Sequence, residues 1–117
     1  MIRHFILKPP ASDPKRDYQP PGTLNVSLAI ILLIGLVTFL WWADQQAHWG
    51  AKIAIGFLFA FSGLTIYALL HEAWHQVLHT NQPVNDILGT FLAIAYGGPF
   101  TFLKHTHLGH HQRNRSI

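Results

Sequence analysis

The chain has no cysteine, one methionine and five acidic residues among 117. Without cysteine there can be no disulfide, no thiolate-bound zinc and no iron–sulfur cluster. Scarce carboxylates disfavour a carboxylate-bridged di-iron bundle of the Glu-x-x-His kind, since only Glu72 and Asp86 lie near the histidine clusters. Charge of both signs is low: 11% of residues are charged, against roughly 25% in an average soluble protein. No internal repeat is present, and a chain this short makes at most one domain. No cleaved signal peptide is expected either. The first apolar block lies behind a polar, Pro-rich arm and ends in Trp-Trp, without a small-residue cleavage pattern.

What the chain does have is apolar residues in blocks. "LNVSLAIILLIGLVTFLWW" (residues 24–42) and "IAIGFLFAFSGLTIYALL" (residues 53–70) carry no formal charge. A hydrocarbon core about 30 Å thick takes about 20 helical residues to cross. We therefore expect two transmembrane helices, over 24–42 and 51–70, in an all-α membrane protein built on a helical hairpin. A soluble chain of this length could not wrap two such helices. Residues 1–23 read as an irregular arm. Seven of the eight basic residues (Arg3, Lys8, Lys15, Arg16, Lys104, Arg113 and Arg115) lie outside the hairpin, and only Lys52 sits by its tip. The positive-inside rule then places both ends in the cytoplasm and rings the outer interface with Trp41, Trp42 and Trp49. These sparse charges give no reason to expect nucleic acid as a partner.

No breaker interrupts the second helix between Ala51 and Pro83, so it is expected to run to about His79 and project its last turns into the cytosol. The segment after it, "VNDILGTFLAIAYGGPFTFL" (residues 84–103), is long enough to cross. Asp86 and the Gly97-Gly98-Pro99 run argue against an uninterrupted span. A single crossing would also put the two histidine clusters on opposite sides of the bilayer. Residues 84–103 are therefore expected at the cytoplasmic interface, with a helix over 84–95 and the Gly-Gly-Pro turn returning the chain to the histidines.

The clusters are "HEAWHQVLH" from His71 and "HTHLGHH" from His105. On one helix His71, His75 and His79 would drift by only about 40° per step and form a stripe. In the second cluster His107 and His111 are i, i+4 neighbours with His110 to one side, a spacing able to serve two adjacent metals. Imidazole suits zinc, copper, iron and nickel.

"HEAWH" followed by "HLGHH" after a transmembrane hairpin resembles the membrane-bound fatty acid desaturase and hydroxylase superfamily, and "NQPVNDILG" resembles linkers of its acyl-lipid desaturases. The resemblance runs from about residue 24 to 115. It implies that His71, His75, His107, His110 and His111 ligate a non-haem di-iron centre that activates O2. His79 and His105 fall outside the minimal pattern and are expected around the metal or on the surface, and Glu72 is expected to accept a hydrogen bond that orients a ligand imidazole. It further implies a membrane-lipid or acyl-chain substrate and a soluble electron donor such as ferredoxin or cytochrome b5. The family carries a third H-x-x-H-H box that this chain lacks. The five matched positions fall short of what two irons need, so the chain is expected to be the N-terminal part of a desaturase and inactive alone.

Three other readings stay open. In an intramembrane zinc metallopeptidase His71 and His75 would bind zinc, Glu72 would activate water, and His79 or Asp86 would complete the site. That leaves "HTHLGHH" unexplained. Carotenoid hydroxylases and ketolases share the boxes, and a non-enzymatic metal-binding membrane protein is the third.

Overall fold

A computed structural model describes residues 19–114. The expected N-terminal arm lies largely outside the described residues; residues 19–21 are non-helical. Among the described residues there are four helices and no strand: α1 (Gly22–Asp44), α2 (Trp49–Trp74), α3 (Gln82–Tyr96) and α4 (Phe100–Asn114).

The α1–α2 hairpin turns in four residues, 45–48. At 1.5 Å per residue its 23- and 26-residue helices span roughly 35 and 39 Å, enough to cross a bilayer. Ala29 and Leu36 of α1 join Ile66, Leu69 and Leu70 of α2 in the core. The opposite faces are apolar and exposed, with Ile31, Ile34 and Val37 on α1 and Phe57, Phe61 and Leu64 on α2. Water penalises such a surface and hydrocarbon does not. Both helices are long and apolar enough for an integral membrane protein.

Helix α2 does not reach His79. It ends at Trp74, and Gln76 takes the left-handed conformation at φ 61°. Side chains, not a breaker residue, end it. Asn85, fully buried on α3, accepts a hydrogen bond from the Leu78 amide at 3.2 Å and donates to the Ala73 carbonyl at 3.0 Å. Asn25 of α1 donates to the Leu78 carbonyl at 2.8 Å. Two asparagines thus satisfy the backbone that the broken helix frees, and the turn buries Leu78 completely. His79 consequently leaves the stripe expected for it.

The helix expected over 84–95 is α3, and after the expected Gly-Gly-Pro turn the chain enters a further helix, α4. Asn81 caps α3 by accepting from the Val84 amide at 3.2 Å, with Pro83 in the first turn. At its far end the Gly97 amide bonds to Ile94 and the Gly98 amide to Ala93, a Schellman closure that needs Gly97 at φ 100°. Pro99 follows, and α4 departs at 93° to α3. Phe100 starts α4 and packs where α2 and α3 nearly touch. A Cβ on Gly89 would strike the Phe100 ring and come within 3.0 Å of the Ala73 Cβ. Lys104 lies 3.9 Å from Asp86 and adds a weak tie between α3 and α4.

Candidate metal centre

The end of α2 and the middle of α4 meet beside this junction, and each brings an i, i+4 histidine pair. His71 and His75 come from the last turn and C-cap of α2, and His107 and His111 from α4. One ring nitrogen from each of the four lies within 4.8 Å of all the others. The contacts inside the group are close. His107 Nε2 is 3.1 Å from His75 Nε2 and 2.9 Å from His111 Nε2. The His71 ring centroid is 4.7 Å from that of His75 and 4.6 Å from that of His107.

Such an arrangement is poorly explained as a hydrogen-bond network. An aromatic nitrogen has a single in-plane lone pair or a single N–H, and His107 Nε2 faces two other ring nitrogens at once. Converging lone pairs are the arrangement a cation rewards. Imidazole nitrogens about 2.1 Å from one tetrahedral ion would sit roughly 3.4 Å apart, close to the spacing here. The electrostatics agree. Desolvation, followed by the neighbouring His71 and His111, holds the His75 pKa below its ordinary 6.5. The same causes, with His75 and His110 added, push His107 down to about 4. Both rings are therefore neutral at neutral pH, the form that binds a metal.

The other candidate residues stand apart. His110 is one position from His111, but its Nε2 lies 3.2 Å from the Asn114 amide nitrogen, outside the four-nitrogen group. His105 is exposed and lies about 200° around α4 from His107. His79 accepts a hydrogen bond from the Asn81 amide at 2.9 Å and packs against Gly22, where an added Cβ would meet the ring at 2.7 Å. It fastens the start of α1 to the α2–α3 turn. The Glu72 carboxylate is not part of the group and makes no hydrogen bond or ion pair among the described residues. Asp86 is taken up by Asn85 and Lys104.

Sequence reasoning passed over the residues that support the cluster. Trp74, only 4% exposed, lays its ring 5.0 Å from His107 at 32° and meets Tyr67 edge-on at 5.9 Å. Its indole nitrogen is buried without a hydrogen-bond partner among the described residues. Gly89 and Phe100 set how closely α4 packs at the α2–α3 junction, and Asn25 and Asn85 hold the turn that ends α2. The asparagines carried a readable signal, because an amide inside an apolar helix needs a partner.

Comparison with curated proteins and with solved structures gives no match. The family model described as fatty acid desaturase matches residues 47–116, more than half of the chain and all of α2, α3 and α4. The two helices that carry the converging histidines thus lie wholly within that match, and the chain belongs to the fatty acid desaturase family.

Proposed function

We propose that the chain is the histidine-bearing portion of an iron- and O2-dependent membrane oxidase that acts on a fatty acyl chain as an acyl-lipid desaturase. The observation that carries this reading is the convergence of four imidazoles at one end of a membrane-spanning hairpin, in a chain of the desaturase family. His71, His75, His107 and His111 would hold non-haem iron, the metal the family resemblance implies. Iron bound there supplies activation of O2 for attack on an unactivated C–H bond. The chain's own residues fix the rings, hold His75 and His107 unprotonated at neutral pH and bring apolar substrate near. Leu36, Phe59, Ile66, Tyr67 and Tyr96 line a groove of about 510 Å³ between the hairpin and α3. Tyr67, at its edge, lies 6.4 Å from the His71 ring, so an acyl tail could pass from lipid toward the metal. Electrons would come from a soluble carrier such as ferredoxin or cytochrome b5, on the cytoplasmic side with the basic ends.

Five box histidines, one of them turned away, are fewer donors than two irons require. The 117-residue chain alone is accordingly proposed to bind iron without desaturating lipid. Metal loading provides the test. Chain purified in detergent and loaded with Fe(II) alone, in the absence of O2, should hold iron at this site that O2 then oxidises. Zinc is left out of this measurement because it outbinds Fe(II) at imidazole sites. Bound iron inert to O2, with cleavage of a membrane-embedded peptide by the zinc-loaded chain, would establish the metallopeptidase reading instead. Nothing in the geometry favours that alternative, since four imidazoles converge where a catalytic zinc needs three protein ligands and an open position for water.

A further inference from the structure

The expected cofactor is a pair of irons, and the donor geometry does not accommodate a pair. From the convergence of four nitrogens and the diversion of the fifth, we infer that this chain holds one metal ion, ligated by His71, His75, His107 and His111, with His110 outside the site. The inference rests on the proposed metal-binding role and specifies its stoichiometry and ligand set.

Four nitrogens within 4.8 Å of one another enclose a single point. In two-metal sites the ions lie about 3.5–4 Å apart, and each needs its own donors. A second ion at that distance would fall outside this ring of imidazoles. It would depend on His110, whose ring nitrogen is engaged with Asn114 one turn further along α4 and whose centroid stands 6.2 Å from that of His111. Among the described residues no second group of three or more potential donors comes together. Glu72 and Asp86, the nearby carboxylates, do not join the four nitrogens. Each helix contributes one i, i+4 pair, so the site forms as soon as α4 docks against α2. A second metal would need donors beyond those gathered here.

Stoichiometry and the asymmetry between adjacent histidines test this. The full chain in detergent is titrated with Co(II), followed by visible absorption, and with Fe(II), followed by metal analysis. The expected result is one ion per chain, with the intense visible bands of a four-coordinate Co(II) site. His107→Ala should weaken binding by more than about 100-fold, beyond the 10- to 100-fold cost of losing an outer partner. His110→Ala should change it by less than about threefold, well under that outer-partner cost. Helical circular dichroism of each variant confirms that it is folded, and His107→Gln serves if His107→Ala is not. Two ions per folded wild-type chain, or equal losses on removing His110 and His107, would overturn the single-ion assignment and leave the oxidase reading standing. Failure of folded wild-type chain to bind any metal would overturn both.

Discussion

The Nε2 atom of His107 stands 3.1 Å from that of His75 and 2.9 Å from that of His111, and its pKa falls to about 4. In the unfolded chain the same imidazole titrates near 6.5. Between those values the unfolded state binds more protons than the folded one, so stability rises with pH across that window. For metal-free chain we expect level stability above about pH 6.5 and a progressive loss toward pH 4, with the slope reduced in His107→Gln. Thermal unfolding in detergent at three or four pH values measures this, and a flat profile in the wild type would contradict it. Trp74 gives a second residue-level expectation. Because its buried indole N–H has no partner among the described residues, Trp74→Phe removes a desolvated donor and should cost under about 1 kcal/mol. Trp74→Ala also removes the ring that lies against His107 and should cost about 3–5 kcal/mol, with weaker metal binding. Equal costs for the two substitutions would show that the N–H, and not the stacked ring, matters.

Between elements, the angle of α4 against α2 depends on a glycine. Gly89 leaves room for Phe100, and a methyl group there would strike that ring and approach the Ala73 Cβ to 3.0 Å. Gly89→Ala should therefore destabilise by about 1–3 kcal/mol, the usual cost of overpacking. It should lower metal affinity as well, because the displaced helix carries His107 and His111. Adding Phe100→Leu should restore part of both losses, and an unchanged metal affinity in the single variant would break the link between this junction and the site. The elements differed in how legible they were from sequence. The hairpin followed from two uncharged blocks and a length rule, and the structure extends them only to Gly22–Asp44 and Trp49–Trp74. The end of α2 was not legible, because no proline or glycine marks it. It is set by side chains of two other helices, Asn25 of α1 and Asn85 of α3, that reach the backbone of the turn. The i, i+4 spacing named both members of each histidine pair that converges. Spacing did not show that His110 would stay outside the four-nitrogen group, since that depends on the side of α4 that the Gly97–Pro99 bend turns toward α2.

At the scale of the whole molecule, the two histidine pairs share one place although about thirty residues separate them in sequence. The bend between α3 and α4 makes this possible: a 93° turn brings α4 back beside the end of α2. Both pairs must then lie at one depth on one side of the bilayer, with the 45–48 turn on the other. The absence of cysteine makes this directly measurable, since any thiol introduced is unique. Gln46→Cys marks the hairpin turn. His105→Cys marks an exposed position on α4 outside the four-nitrogen group. In intact cells a membrane-impermeant maleimide should label Gln46→Cys at once and His105→Cys only after permeabilisation, because the positive-inside rule assigns the basic α4 side to the cytoplasm. Labelling of both from the same side would require an additional crossing between the hairpin turn and α4. That crossing would put the end of α2 and α4 on opposite faces, and the four imidazoles could not meet.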